Sequence, residues 1–159
     1  MKSAKFRRMI FRRLGLPTIL VALTLSLALA SGLAAPANAQ DVDASTQAAV
    51  ETVISGQIAA FRADDGALAY SFAAPSIKRI FPDPDRFMAM VREGYRPVYR
   101  PRDFRFARIG AVGGEIVQEV DIIGPDGKDW IAVYSLKQHE DGSWKITGCV
   151  LKETEDLGV

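Results

Sequence analysis

Apolar residues recur with a helical period between positions 45 and 62. They are Val50, Val53, Ile54, Ile58 and Phe61. The last four follow Val50 by three, four, eight and eleven residues, so all five share one face of an α-helix. Ser45 or Thr46 can cap the start of the helix, and the pattern ends near Arg62–Ala63. The pattern therefore predicts a first helix with one buried face.

A second helix is expected after a turn at two acidic residues. Asp64 or Asp65 can cap it, because a carboxylate accepts hydrogen bonds from the free N–H groups of a first helical turn. Pro75 is expected to stop this helix, since proline cannot continue one. The apolar residues between turn and stop are Leu68, Tyr70, Phe72 and Ala73. We expect Phe61, Leu68 and Phe72 to pack in the core.

Shorter segments complete the helical part. Residues 76–81 can form a helical turn. Asp83 and Pro84 are a typical N-cap and first residue of a third helix, and Gly94 is expected to end it. Residues 95–101 contain two prolines, which argue against a regular helix or a central strand.

After residue 102 the apolar pattern changes to a period of two, which is typical of strands. A first strand contains Phe104, Phe106 and Arg108, and its phase slips at Ile109. Three further strands each place alternate residues on one face: Ile116, Gln118, Val120 and Ile122; Trp130, Ala132, Tyr134 and Leu136; Trp144, Ile146, Gly148 and Val150. Glycine-containing turns at 113–114, 125–127 and 141–142 separate the strands.

Helices followed by a meander of strands predict an α+β domain. The helices should pack on one face of a curved, four-stranded antiparallel sheet. This element order resembles the cone-shaped fold of the nuclear-transport-factor-2-like superfamily. A cystatin-like arrangement is the alternative, but three helical segments before the sheet disfavour it.

The run from Gln57 to Pro75 also resembles the signature of a family of exported bacterial proteins, the one numbered 4864 among the domains of unknown function. Further short blocks carry the same resemblance: Phe81-Pro82, Phe87-Met88, Gly94-Tyr95, Pro97-Val98-Tyr99-Arg100 and Asp141 to Ile146. The resemblance implies export and a cone-like fold. It implies no reaction, because none is assigned to such proteins.

The N-terminus has the three parts of a signal peptide. Six basic residues precede position 14, residues 14–33 are apolar and uncharged, and small residues precede Gln40. We expect cleavage between Ala39 and Gln40, by general secretion rather than the twin-arginine route. Residues 1–39 would then be the leader and residues 40–159 a single domain. The alternative is an uncleaved inner-membrane anchor. Either way the domain is expected in the periplasm or outside the cell.

Charge and cysteine content narrow the function classes. Residues 40–159 hold 14 basic and 19 acidic residues, a net charge of −5, which argues against general nucleic-acid binding. Cys149 is the single cysteine, so no internal disulfide can form. It is either a buried filler or an exposed thiol able to pair between molecules. We expect a membrane contact only through the leader.

Little catalytic or metal-binding chemistry is encoded. His139 is the only histidine, in a predicted exposed hairpin loop. A histidine-based zinc site would need partners that the chain lacks. There is neither a nucleophile-elbow motif nor a phosphate-binding glycine loop. We therefore expect no metal and no cofactor.

Asp64, Asp65 and Tyr70 are the weak catalytic candidates. Enzymes of the cone superfamily often place a carboxylate in the pocket as a base, with a tyrosine or second acid as donor. The simpler interpretation is that the two acids cap a helix.

An arginine-rich segment offers candidates for recognising an anion. Six arginines lie between positions 92 and 108 against two acids, and the candidate ligand-binding residues are Tyr95, Arg96, Tyr99 and Arg100. The alternative is that these arginines pair with the domain's own acids in residues 115–129. Trp130 and Tyr134 are further candidates, because a pocket lined by them and Tyr70 would suit a small apolar ligand. Core packing is their simpler role.

These patterns favour a non-catalytic module that binds a small ligand, apolar or anionic, or another protein. The alternative is a small cone-fold enzyme of isomerase, dehydratase or hydrolase type that uses an Asp/Tyr pocket. A homodimer that pairs through its sheet is a third possibility.

Overall fold

The computed structural model describes residues 41–154, which form helices followed by a four-stranded sheet. The helices are α1 (Ala44–Arg62), α2 (Gly66–Ser71), α3 (Pro75–Ile80), α4 (Pro84–Gly94) and α5 (Arg96–Tyr99). The strands are β1 (Asp103–Val112), β2 (Glu115–Ile123), β3 (Asp129–Gln138) and β4 (Trp144–Glu153). The predicted signal peptide and its cleavage site lie outside the described residues.

Helix α1 has the predicted length and buried face. Val50, Ile54, Ile58 and Phe61 are at most 2 % exposed. Its cap differs from the prediction, which named Ser45 or Thr46. The N-cap is Asp43, whose carboxylate accepts hydrogen bonds from both of those backbone N–H groups. A carboxylate two residues earlier reaches the first-turn donors more directly than a hydroxyl inside the turn.

The α2–α3 region corrects two expectations. Asp65 caps α2 as predicted, through a 2.9 Å hydrogen bond to the Leu68 N–H. Pro75 begins α3 rather than stopping α2, which already ends at Ser71, because a first helical turn needs no proline N–H. Leu68 is 47 % exposed and does not pack in the core, since it lies on the outer side of a two-turn helix.

Helix α4 runs from Pro84 to Gly94 with Asp83 as its N-cap, which confirms the prediction. The segment that follows was expected to be irregular, but Arg96–Tyr99 forms the four-residue helix α5. Pro97 lies in its first turn, where the missing N–H and the fixed φ are compatible with a helix.

The strands form one antiparallel sheet in the order β1-β2-β3-β4. Glycines at the three predicted turns adopt positive φ, as tight hairpin turns require: Gly113, Gly114, Gly127 and Gly142. The phase slip predicted at Ile109 is a register shift between Phe106 and Ile109. The side chain of Gln118 fills this irregularity and donates to the carbonyls of Ala107 and Arg108. A polar residue in an apolar row therefore satisfies backbone groups that the bulge frees.

A second irregularity corrects the predicted pattern of β4. The pairing with β3 shifts beyond Ser135, so that Thr147 and Gly148 share one register position. Ile146 keeps its place in the core, but beyond the shift Cys149 pairs with Tyr134 and Val150 is 58 % exposed. An extra residue in one strand exchanges the faces of all residues after it.

The helices cover one face of the sheet, here called the inner face, and the core lies between them. Fully buried residues of the inner face are Val120, Ala132, Tyr134 and Leu136, and they meet the apolar face of α1. The opposite, outer face carries the ion pairs Arg105–Asp121 and Arg108–Glu119. Residues 72–74 run beside β4, where Ile146 donates to the Phe72 carbonyl and accepts from Ala74.

Candidate functional site

A cavity of about 310 Å³ lies between the helices and the inner face of β3 and β4. Its walls are mostly aromatic and aliphatic: Phe61, Ile77, Phe81, Phe87, Met90, Val91, Val98 and Ile146, with Gln57, Tyr95, Tyr134, Gly148 and Cys149 as the remaining lining residues. Phe87 packs against Phe61 and Phe81, with ring centroids 6.2 and 6.3 Å apart. Such an apolar enclosure with a few polar groups is the usual form of a small-molecule site.

Two polar side chains in the wall are held by backbone carbonyls. Gln57 is 4 % exposed and donates to the Ala69 carbonyl at 3.3 Å. The Tyr95 hydroxyl donates to the Cys149 carbonyl at 3.1 Å, and burial raises the pKa of this phenol. These bonds fix α1 to α2 and α4 to β4 around the cavity.

Tyr134 is different, because its hydroxyl is buried without a hydrogen-bond partner among residues 41–154. The side chain is completely buried, and this burial raises its pKa well above 10. The Cys149 thiol lies beside it, but sulfur is a weak acceptor and no hydrogen bond of good geometry forms. A buried, unsatisfied hydroxyl costs about 1–3 kcal/mol, so native proteins rarely keep one without a reason.

Cys149 faces the same cavity from the neighbouring strand. Burial raises the pKa of its thiol to about 12. A thiol with this pKa remains protonated at neutral pH and is a poor nucleophile. Of the two alternatives from the sequence, the structure favours the packed filler over the reactive thiol.

Asp64 joins a cluster at the surface rather than lining the cavity. Its side chain is 52 % exposed, accepts a hydrogen bond from the Tyr99 hydroxyl and pairs with Arg100 at 2.6 Å. The Tyr99 hydroxyl, followed by Arg100, lowers the pKa of the Asp64 carboxyl. Arg100 also donates to the Phe61 carbonyl, and its guanidinium lies 3.9 Å from the Tyr99 ring centroid. We call Asp64, Tyr99 and Arg100 the clamp, since they join the α1–α2 turn to α5.

The three weak catalytic candidates do not meet in one pocket. Asp65 is the exposed cap of α2, and Asp64 belongs to the clamp. The Tyr70 hydroxyl donates to the Phe81 carbonyl at 2.5 Å. No acid lines the inner cavity among its described wall residues, so the geometry does not assemble an Asp/Tyr pocket.

Most arginines of the 92–108 segment contact groups of the domain itself. Arg105 and Arg108 pair with Asp121 and Glu119, which are acids of the region that the sequence offered as their alternative partners. Arg102 donates twice to the Pro125 carbonyl. Arg96 is exposed and pairs with no acid in the described part of the chain.

Trp130 lies near the start of β3, four residues before Tyr134, and does not line the inner cavity. It lines an open cleft of about 1100 Å³ together with charged residues such as Asp121, Lys128 and Glu153. This cleft is larger than the inner cavity, but charged side chains, most of them on the strands, line much of it. The inner cavity, whose wall is mostly apolar, is therefore the better candidate for a small-molecule site.

Several lining residues were not predicted from the sequence, although one of them carries a recognisable signal. Gln57 lies seven residues after Val50, on the buried face of α1, where an amide is unusual. Phe81 was assigned only to a helical turn, and Phe87 and Met90 only to the third helix. Nothing in the local sequence shows which apolar residues border a cavity and which fill the core.

Residues 41–154 contain no cluster of three or more histidine, cysteine or acidic side chains with metal-binding geometry. No helix among them combines the length and the apolar character needed to cross a bilayer.

Comparison with known proteins places the chain in a family. Residues 43–159 match the model of the family described as Domain of unknown function (DUF4864), and the chain belongs to that family. No curated protein sequence gives a significant match.

Solved structures with a similar fold are NTF2-like proteins of unknown function. One from Silicibacter pomeroyi DSS-3 is 15% identical, with a TM-score of 0.50, over 72% of this chain and 100% of the other. Another, from Shewanella baltica OS155, is 12% identical, with a TM-score of 0.49, over 74% and 100% of the two chains. The first likeness confirms the NTF2-like fold predicted from the element order and shows no more than that.

Proposed function

We propose that this domain is a non-catalytic module that binds a small, mostly apolar ligand in the inner cavity. The observation that carries the proposal is the Tyr134 hydroxyl, which has no hydrogen-bond partner among residues 41–154 and belongs to the wall of a mostly apolar cavity. A ligand with one hydrogen-bonding group would satisfy this hydroxyl while its apolar part contacts the surrounding rings.

The size of the cavity limits the ligand. About 310 Å³ is at the lower end of the range for small-molecule sites and equals the share of roughly ten water molecules in the liquid. Ligands of this size are single-ring or short-chain compounds rather than nucleotides or large cofactors.

The titration behaviour of the wall supports binding rather than proton transfer. Burial raises the pKa of Tyr95, Tyr134 and Cys149, so all three side chains are protonated near neutral pH. An effective general base needs a pKa close to the working pH. Because Tyr95 already donates to the Cys149 carbonyl, the Tyr134 hydroxyl is the neutral donor that suits a neutral ligand with an acceptor oxygen or nitrogen.

Mass spectrometry of small molecules released from the purified protein tests the proposal. We expect a retained apolar compound that is lost from a Met90→Trp variant, because the larger side chain fills the cavity from its rim. Leu68→Trp is the matched control, since Leu68 is exposed on α2 and does not line the cavity. Equal retention by the two variants, or protein that releases no compound at all, would refute the proposal.

We also propose that the protein is exported. The support is the composition of residues 1–39, which has the basic, apolar and small-residue parts of a leader. The mass of the protein recovered from a periplasmic extract tests it. A chain that begins at Gln40 is expected, whereas the full-length mass in the cytoplasmic fraction would contradict export.

A further inference from the structure

A second cleft, of about 450 Å³, lies where the start of α3 meets the ends of β2 and β3 and the irregular part of β4. It shares no lining residue with the inner cavity. The residues that matter for its chemistry are Arg79, Glu115, Ser135, Lys137, His139 and Thr147. We call it the α3 cleft.

The two cations of the α3 cleft, Arg79 and Lys137, have no acidic, carbonyl or aromatic partner within residues 41–154, although acids outnumber bases there. Ten of the basic side chains in residues 41–154 contact a carboxylate, a backbone carbonyl or an aromatic ring: Arg62, Lys78, Arg86, Arg92, Arg100, Arg102, Arg105, Arg108, Lys128 and Lys145. The four that do not are Arg79, Arg96, Lys137 and Lys152. Two of these four, Arg79 and Lys137, lie in one cleft, where the described wall residues provide one acid, Glu115, against these two cations.

Buried polar atoms without partners point to the same place. His139 Nε2 and Thr147 Oγ1 have no hydrogen-bond partner in the described part of the chain. They come from different elements, since the β3–β4 turn holds His139 through its bonds to Ser143 and Gly142, whereas Thr147 lies in the shifted part of β4. Two orphaned polar atoms beside two free cations are unlike an ordinary exposed surface.

We propose that the α3 cleft binds the phosphate group of a small molecule. A phosphate has more acceptor oxygens than a carboxylate, and the cleft offers more donors than a carboxylate uses. Arg79 supplies a guanidinium fork and Lys137 an ammonium, and Thr147 and Ser135 supply hydroxyls. Glu115 is the one opposing charge in the wall. The Glu115 carboxylate is expected to weaken phosphate binding by repulsion. Its removal should therefore have the opposite effect on affinity from the removal of a cation.

Titration of the isotope-labelled full-length protein with inorganic phosphate, followed by NMR, tests this proposal. Shifts are expected at Thr147 and His139 but not at Tyr134. Lys137→Gln and Arg79→Gln should each weaken phosphate binding about tenfold, which corresponds to about 1.4 kcal/mol. Glu115→Gln should tighten it. Lys152→Gln is the matched control, because it removes an equally unpaired cation outside the cleft.

Equal weakening by Lys152→Gln would overturn the proposal, because binding would then reflect net charge only. Phosphate binding no tighter than that of acetate would also overturn it. Vesicles of phosphatidylcholine with and without phosphatidic acid identify the source of the phosphate. Binding to these vesicles that depends on Lys137 assigns a lipid headgroup, and binding independent of it contradicts the site. Tyr134→Phe should leave phosphate binding unchanged, so this test is separate from that of the inner cavity.

Discussion

Removing the Tyr134 hydroxyl is predicted to stabilise the ligand-free protein. The side chain is fully buried and its oxygen has no partner among residues 41–154, so folding moves this hydroxyl from water to an apolar site without compensation. The cost of such a transfer is about 1–3 kcal/mol. Tyr134→Phe keeps the ring, and with it the packing against the core. Only the weak contact with the Cys149 thiol is lost.

We therefore expect Tyr134→Phe to raise the free energy of unfolding by about 1 kcal/mol. For a domain of this size, that corresponds to a rise in Tm of roughly 4 °C. Urea denaturation of ligand-free protein measures the change, because a shift of the midpoint at constant slope isolates stability. The same substitution should weaken binding of the cavity ligand about five- to tenfold, since the ligand loses its hydrogen bond.

Tyr70→Phe provides the matched control. Its hydroxyl donates to the Phe81 carbonyl at 2.5 Å, so the same chemical change should destabilise the protein by about 0.5–1.5 kcal/mol. Opposite signs for the two variants support the argument. If Tyr134→Phe lowers the stability as Tyr70→Phe does, the Tyr134 hydroxyl has a good partner in the folded state, and the reasoning for a ligand at that position fails.

Four further predictions follow from the geometry. Asp64→Asn should lower stability at neutral pH, and the difference from the native protein should vanish as the pH falls through the lowered pKa of the carboxyl, which urea titrations at several pH values would show. Asn tolerates the positive φ of 56° at this position as Asp does, so the substitution adds no backbone strain, and a pH-independent loss would contradict the role given to the charge. Cys149 should resist alkylation near neutral pH, because its thiol stays protonated there. The free energy of unfolding should fall between about pH 9 and 12, because the thiol of the unfolded chain ionises in this range while that of the folded protein does not. Cys149→Ala should lessen this fall. Gly56→Ala should lower Tm, since an added Cβ would lie 2.7 Å from the end of the Phe72 ring, and an unchanged Tm would mean that the ring moves aside at little cost. Light scattering should show a dimer that Val150→Asp dissociates if two copies pair through the outer face, whereas a monomeric native protein would exclude such pairing.

The sequence predicted the order of elements well, because periodicity, caps and glycine turns are local signals. Asp83, Pro84 and Gly94 mark the limits of α4 in the structure as they do in the sequence. The phase slip at Ile109 in the sequence corresponds to the register shift of β1 in the structure. The shift in β4 carried no such mark, since Thr147 and Gly148 are compatible with regular alternation. Its position depends on pairing with β3 and on the segment beside β4, which are long-range contacts.

The candidate site was predictable only in part. Tyr134 and Tyr95 were named as ligand-binding candidates, and both line the inner cavity. The sequence could not show that the Tyr134 hydroxyl lacks a partner, because this depends on the arrangement of three separate elements around it. Arg100 carried an equally plausible recognition signal, but its partner Asp64 lies 36 residues away in the chain. An arginine that binds a ligand and one that joins two helices can lie in segments of the same charge density. The local density of charge in the sequence therefore does not distinguish them.

The short bridge between residues 72–74 and β4 also bears on aggregation. β4 is an edge strand, and an exposed edge is a template for pairing with another molecule. Here Ile146 already exchanges hydrogen bonds with Phe72 and Ala74, so the start of that edge is occupied by the chain itself. The opposite edge, β1, is interrupted by its register shift. Both edges are thus poor starting points for sheet extension, which would help the domain to stay dispersed at high concentration without a disulfide.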